Sequence, residues 1–255
     1  MTNIITSSNN PIIKKLNSLK LSKNRRKSKE FVVEGIKMAE EAIESGVEIL
    51  HVIMDEDIQF PLVKTLQEKS VRLKNQLFKQ VSELKNPEGI MVICREVKRE
   101  IDLDEDILIL DNIRDPGNMG TIIRTAEAFG YKNILLSGDC VDIYNSKVLR
   151  STMGSIFRVS LQKGDLETIL NLKKSHKILV TALEEYSVDL TTMTNVGKHA
   201  IIIGNESKGV RKEIIDLADV KIIIPISNKI DSLNAAMASG ISMFYFKLIS
   251  TKKER

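Results

Sequence analysis

The sequence predicts an α/β protein in two parts: a smaller N-terminal α/β domain and a C-terminal domain built on a mostly parallel sheet. Three observations predict it. Apolar runs such as Ala200-Ile201-Ile202-Ile203 lack polar alternation, which marks strands buried on both faces. Such runs alternate with segments of helical periodicity along the chain. A stretch with seven charged residues in nine, Lys98 to Asp106, interrupts that alternation and reads as a linker. Residues 1–97 are therefore taken as the first domain, 98–106 as the linker and 107–255 as the second domain.

In the first part Phe31 to Val33 reads as a short strand, and Ile36 to Ser45 as a helix ended near Gly46. Ile49 to Met54 is a second strand, Leu62 to Lys69 a helix, and Ile90 to Val97 a third strand. Beyond the linker come the strand Ile107 to Leu110, a helix over Thr121 to Phe129, and the strand Asn133 to Ser137. Later strands are Lys177 to Ala182, Ala200 to Gly204 and Val220 to Pro225. The last helix runs from about Leu233 to Ile249. From Leu233 to Phe246 it has no charged side chain and is apolar around its whole circumference, so it is covered on all sides, either by its own domain or by a second subunit. Its small residues, Ala235, Ala236, Ala238, Ser239 and Gly240, permit close approach.

Composition narrows the function. Hydrophobic residues are 42% and charged residues 28% of the 255, a globular composition. The net charge is only +4, yet the first 29 residues hold eight basic side chains and no acidic one. These are Lys14, Lys15, Lys20, Lys23, Arg25, Arg26, Lys27 and Lys29; the rest of the chain has 30 basic and 34 acidic residues. A basic cap on a slightly acidic body points to nucleic acid, with a solvated face or a targeting tail as the plain alternatives. Asn9, Asn10 and Pro11 interrupt the amphipathic helix that a mitochondrial leader needs, and no apolar stretch suits a secretory signal or a membrane span. Two distant cysteines, Cys94 and Cys140, form no disulfide framework and fit a reducing cytosol. Scarce aromatics, 4% with no tryptophan, argue against a stacking-platform RNA module.

Familiar catalytic constellations are missing. His51, His176 and His199 lie far apart, in or beside apolar runs, and read as structural; no zinc spacing is present. There is no G-x-S-x-G elbow and no G-x-G-x-x-G turn after the first strand of either half. Three polar loops remain, each after a strong strand, where open α/β sheets bind ligands. The first is Asp111 to Gly130, in which Pro116, Gly117 and Gly120 shape a tight turn around Asn118 and Arg124 lies opposite the face shared by Ile122, Ala126 and Phe129. Arg124 is either a solvated residue or an anion clamp. The second is Gly204 to Gly209, either a plain βα turn or a place where bare backbone at Gly204 admits a ligand and Glu206 offers a carboxylate. The third is Pro225 to Asn234, where Asp231 or Ser232 would cap the last helix and Asn234, inside its first turn, is less easily explained by capping.

Taken together, N-M-G-T-I-I-R-T-A-E-A-F-G at 118–130, I-I-I-G-N-E-S-K-G-V at 201–210 and I-P-I-S-N-K-I-D-S-L-N-A-A-M-A at 224–238 closely resemble the three motifs of the SpoU (TrmH-like) RNA ribose 2′-O-methyltransferases, of the SPOUT class. The resemblance covers residues 105 to 250. S-x-x-N-P-I-I-K and F-V-V-E-G in the first part look like that family's N-terminal substrate-binding domain, which has a ribosomal-protein-like α/β fold. The resemblance implies a deep trefoil knot, a homodimer, and S-adenosylmethionine as cofactor, without metal. It implies a cytoplasmic enzyme that methylates ribose 2′-hydroxyls in structured RNA, most readily ribosomal RNA. Transfer RNA or resistance-type ribosomal enzymes of the family, and a non-catalytic RNA-binding or ribosome-assembly protein, are the alternatives.

Carried over residue by residue, the resemblance makes Arg124 the motif-one arginine, acting on the ribose 2′-hydroxyl as base or through the adjacent phosphate. Asn118 supports the site's geometry, Glu206 is the motif-two glutamate, and Ser232 and Asn234 are the motif-three pair. Gly204, Ile224 and Leu233 would contact the cofactor through backbone groups, and Ser151 to Ser155 resembles a further small-residue loop near that pocket. The basic cluster from Lys14 to Lys29 becomes an RNA phosphate-contacting arm.

Overall fold

A computed structural model of the chain describes residues 4–227, 229–230 and 232–251. Contacts divide it into two units: the chain up to Val97 together with Asp142–Phe157, and Lys98–Val141 together with the chain from Arg158 onward. Residues 98–106 thus fall in the second unit. The segment 142–157, taken above as part of the second domain, packs with the first.

The first unit contains β1 (Ile4–Ile5), α1 (Pro11–Leu19), α2 (Ser22–Ser28), β2 (Glu30–Glu34), α3 (Ile36–Glu44), β3 (Ile49–Asp55), a 3-10 segment (Pro61–Lys69), β4 (Ser70–Leu73), α4 (Asn75–Val81) and β5 (Ile90–Arg95). Its sheet has the order β1-β4-β3-β5-β2, parallel from β1 to β3 and antiparallel beyond. Asn10 and Pro11 start a helix instead of spoiling one. The Asn10 side chain accepts the Ile12 N–H at 2.9 Å, and Pro11 occupies the first helical position, where its missing N–H costs nothing. Ile12, Ile13, Leu16 and Leu19 then face Ile53, Leu73, Leu77 and Phe78 in the core.

The second unit opens with β6 (Ile107–Asp111), α5 (Pro116–Phe129) and β7 (Asn133–Ser137). The chain next gives α6 (Ser146–Thr152) to the first unit, where Tyr144 stacks on Phe31 with centroids 4.3 Å apart. It returns for β8 (Ser160–Lys163), α7 (Leu166–Leu172), β9 (Lys177–Thr181), β10 (Val188–Asp189), β11 (His199–Ile203), α8 (Lys212–Ile215), β12 (Val220–Ile223) and α9 (Ala235–Thr251). The sheet order is β10-β12-β9-β11-β6-β7-β8, and every pairing is parallel. Every residue of β6, β7 and β11 is buried, which is why these strands read as apolar runs with polar residues only at their ends. On one face Ile107, Ile109, Ile178, Val180 and Ile202 pack with Ile169 and Ile214 from α7 and α8.

Helices α5 and α9 pack against each other, and at Gly240 a Cβ would lie 3.5 Å from the Thr125 methyl. The small residues of α9 therefore serve a close approach inside the unit. The unit does not cover the helix on all sides: Met237, Ile241, Phe244 and Leu248 remain 58, 36, 52 and 39% exposed. Their spacing of three to four residues makes them one stripe.

Arg25 corrects the reading of the basic cluster. It is buried, its Nη1 donates to the carbonyls of Leu19 (2.8 Å) and Lys20 (2.9 Å) at the end of α1, and Nε and Nη2 donate to the Asp142 carboxylate at 3.1 and 2.6 Å. A guanidinium committed to orphan helix carbonyls and a half-buried acid is structural, not an RNA-binding group. Burial would raise the Asp142 pKa, but the Arg25 bonds and charge outweigh it, and the carboxyl sits below its ordinary range. A folded-state pKa below the unfolded one gives stability that is present above about pH 4 and lost as pH falls through the lower, folded value. Arg25→Ala should lower stability by about 3 kcal/mol in urea melts at neutral pH. Asp142→Asn should flatten the acid limb of the wild-type stability profile.

Candidate active site

Three loops meet at the carboxyl edge of the parallel sheet, after β6, β11 and β12. The first leaves β6 at Asp111, which is fully buried and lies beside Ser137 of β7 in register. Asn112 follows with φ +57, a left-handed conformation that asparagine tolerates. Its Oδ1 accepts the Asp139 N–H at 2.8 Å and lies against Gly138, where a Cβ would come within 2.5 Å of it. The expected turn around Pro116, Gly117 and Gly120 is in fact the opening of α5. Asp115 is the N-cap, accepting the Asn118 N–H at 2.7 Å, and Pro116 is the first helical residue.

The second loop leaves β11 at Gly204, next to Asp111, because Ile203 pairs with Leu110. The chain doubles back at once. Asn205 and Gly209 exchange two backbone hydrogen bonds of 3.1 and 2.8 Å, and the Asn205 Oδ1 accepts the N–H groups of Ser207 and Lys208. A Cβ at Gly204 would fall inside the backbone of Gly209 and Val210. Glycine is thus required here by the loop's own main chain, which takes the space that sequence reading left for a ligand's approach. The arch so formed is lined by backbone. The Asn205 Nδ2 donates to the Asn112 carbonyl at 3.2 Å, joining the second loop to the first.

The third loop follows β12 and leads into α9. Asp231, one of the two residues expected to cap α9, lies outside the described residues. Ser232 is described, exposed, and two residues too early. The cap is Asn234: its Oδ1 accepts the N–H groups of Ala236 (2.9 Å) and Met237 (3.3 Å). Its Nδ2 remains free to donate to the Asn118 Oδ1 at 2.9 Å, while the Asn118 Nδ2 donates to the Glu206 carboxylate in a short hydrogen bond. The Asn205 Nδ2 also reaches Glu206, at 3.3 Å. One polar chain, Glu206–Asn118–Asn234, so draws one residue from each loop.

Arg124 does not join that chain. It lies six residues beyond Asn118, about 9 Å along α5 and about 120° around it. It is exposed and makes no hydrogen bond or ion pair among the described residues. Gly204 and Ile224 stand at the ends of β11 and β12 with β9 between them, roughly 10 Å apart and thus a span that a nucleoside bridges. Leu233 is half-buried ahead of α9. Ser151 to Ser155 falls in the first unit, where the Glu41 carboxylate fills the space beside Gly154. In that unit Lys15 pairs with Glu30 at 3.0 Å and Lys29 with Glu96 at 3.3 Å, Lys20 is half-buried, and Lys14, Lys23, Arg26 and Lys27 are exposed.

Asp111, Asn112, Asn205 and Arg211 carry the site's geometry and were not singled out from the sequence. Arg211 bonds Asp111 twice, through its backbone N–H and its Nε, each at 2.9 Å, and its Nη2 donates to the Ser137 Oγ at 2.7 Å. Nearby, burial pushes the Cys140 thiol up to about 11, so it is no thiolate nucleophile at neutral pH. His199 and His176 belong elsewhere, at the amino ends of the strands, held by the Tyr131 hydroxyl (2.7 Å) and the Glu105 carbonyl (3.0 Å). Among the described residues no group of three His, Cys, Asp or Glu could hold a metal ion, and no helix is long and apolar enough to cross a membrane.

Residues 105–244 match the family profile described as the SpoU rRNA Methylase family, and residues 10–92 match an MRM3-like substrate binding domain. The chain is 28% identical over 245 residues to the 23S rRNA (guanosine(2553)-2′-O)-methyltransferase RlmP of Bacillus subtilis, covering 95% of this chain and 98% of that one. It is 26% identical over 239 residues to a 23S rRNA (uridine(2479)-2′-O)-methyltransferase of Streptomyces viridochromogenes, covering 86 and 83%. The crystal structure of an AdoMet-bound rRNA methyltransferase from Sinorhizobium meliloti superposes with a TM-score of 0.85 at 28% identity, covering 95% of this chain and 96% of that one.

The two duties of Asn234 can be separated by substitution. Asn234→Ala should lose about 1 kcal/mol of stability with the cap, read by thermal melting. Asn234→Asp keeps a capping oxygen and should melt near wild type, although it lacks the amide donor to Asn118.

Proposed function

The chain belongs to the SpoU rRNA methylase family, and on that premise we propose that the three-loop cluster is the active site of an RNA ribose 2′-O-methyltransferase acting on ribosomal RNA. The observation that carries this reading is the Glu206–Asn118–Asn234 chain, which assembles one residue from each of three loops at the carboxyl edge of a parallel sheet. The relatives named above as 23S rRNA 2′-O-methyltransferases, and the substrate-binding domain matched at 10–92, support ribosomal RNA as the substrate.

S-adenosylmethionine is the cofactor, and when bound it supplies an electrophilic methyl group on a sulfonium. The main chain of the arch from Gly204 to Gly209, with that of Ile224 and Leu233, supplies the backbone groups that would hold the nucleoside. The chain's residues then have to orient the ribose and manage one proton. Arginine stays protonated at any working pH, so Arg124 serves better as a clamp on the phosphate beside the reacting hydroxyl than as a base. Asn118, Glu206 and Asn234 hold one another in place, and Ser232 positions the substrate. Lys14, Lys23, Arg26 and Lys27 are the side chains left for RNA phosphates, in contacts that position without reading sequence. We place the enzyme in the cytoplasm, and read the chain path as the family's trefoil knot.

The exposed stripe on α9 supports a homodimer. Four large apolar side chains in line are more than scattered surface residues, and a two-fold interface would bury the same stripe on both copies.

Mapping 2′-O-methyl marks across total RNA, with and without the gene, tests the activity. Wild type should restore a missing ribosomal mark, and Arg124→Ala should not. The purified Arg124→Ala protein should keep S-adenosylmethionine affinity within about twofold and lose at least about a hundredfold in rate. No missing mark in either strain would sink the reading. Replacing Lys23, Arg26 and Lys27 by alanine should weaken RNA binding and flatten its salt dependence by roughly one slope unit per lost contact. For the dimer, Phe244→Glu should convert a wild-type dimer to monomer in sedimentation; a monomeric wild type refutes it.

A further inference from the structure

Among the described residues the buried carboxylate of Asp111 has one cationic partner, Arg211, which binds it with both main chain and side chain. Arg211 lies just past the arch, two residues after Gly209 and immediately ahead of α8. Gly204, where the arch begins, is level with Asp111 in the β6–β11 ladder. The two ends of the arch are therefore fastened to the same carboxylate-bearing strand end, one by sheet pairing and one by Arg211. The guanidinium reaches further, to Ser137 at the end of β7, so it spans the ends of two neighbouring strands. Its remaining Nη1 is 3.3 Å from Glu213 on α8.

We propose that Asp111 and Arg211 form a latch that holds the Gly204–Gly209 arch in its cofactor-receiving shape before the cofactor arrives, making both positioning residues for S-adenosylmethionine. This rests on the reading of the arch as part of the cofactor site. The arch is six residues, Gly204 to Gly209, closed by main-chain bonds and the Asn205 side chain, and its nearest buried apolar side chain is Val210; ordering it costs conformational entropy that something must offset. The latch offsets it in advance. If the arch is formed in only a fraction of molecules, the apparent dissociation constant rises by the inverse of that fraction.

Calorimetry with S-adenosylmethionine on full-length Arg211→Gln, Arg211→Lys, Asp111→Asn and the double variant Asp111→Asn/Arg211→Gln tests it. Arg211→Gln should raise Kd about tenfold, as expected when the arch is formed in about one molecule in ten. Arg211→Lys keeps the charge without the fork and should fall between that variant and wild type. The double variant should bind no more weakly than the worse single one, because a latch is broken only once. The loss of rate should be largest at limiting cofactor and shrink as cofactor is raised. Amide exchange over residues 204–211 should be slow in cofactor-free wild type and fast in Arg211→Gln, becoming slow again with cofactor.

A purely structural ion pair would lower the melting temperature of all four variants while leaving Kd and exchange at wild-type values in protein that is still folded; that result overturns the proposal, as do additive losses in the double variant. Arg211→Lys is the mildest change and keeps the test decisive if the others fail to fold. If wild type itself binds no S-adenosylmethionine, the methyltransferase reading falls, and the latch falls with it. Binding by wild type with unaffected variants removes the latch alone.

Discussion

A carboxylate at the end of β6, out of reach of water, is the constraint on which the candidate site is arranged. Unpaired, Asp111 would cost several kcal/mol. The chain meets that cost by returning, one hundred residues later, to place Arg211 against it. That return path is the second loop. Once Arg211 is fixed, the preceding residues must double back over Gly204 in a space too small for any Cβ, and Asn205 is brought over Asn112. Glu206 then faces Asn118, because the loop has little other freedom. The neutralisation of one buried charge and the parallel register of β6, β7 and β11 thus bring the first two loops together, and the cap of α9 adds the third.

The first unit uses the same physics for a different end. Arg25 lies among eight basic residues, and its burial joins the last carbonyls of α1 to an acid 117 positions away. Two more of the cluster, Lys15 and Lys29, answer to Glu30 and Glu96. The unbalanced charge that stands out along the chain is therefore partly balanced in space. The part that stays free, Lys14, Lys23, Arg26 and Lys27, is smaller but better defined, and exposed cations on two short helices suit a polyanion better than a continuous tail does.

Much of the architecture was legible because burial on both faces writes itself as uninterrupted aliphatic runs; β6, β7, β9 and β11 were all placed within a residue or two on that ground. The candidate site was legible as three loops, since strand ends and turn-forming residues mark them. What could not be read was which polar atom meets which. Gly117 and Gly120 look like turn residues, so the sequence pattern starts α5 at Thr121, five residues late; the cap at Asp115 and the proline after it outweigh them. Asn234 was set inside α9 because the apolar run begins one residue earlier, at Leu233; the helix begins at Ala235 and makes Asn234 its cap. Arg25 and Arg211 were invisible for a shared reason. Their partners are more than ninety residues away, and a lone arginine carries no local trace of a distant acid.

The cap on α9 has a consequence in time. Asn234 presents its amide to Asn118 only in the orientation that its own helix imposes, since the same side chain's oxygen is held by Ala236 and Met237. Asn118 and Glu206 are both synthesised before any residue of α9. A chain that already carried its sheet, but not the first turn of α9, would still lack the third member of the cluster. The last helix and the completed cluster are therefore made together.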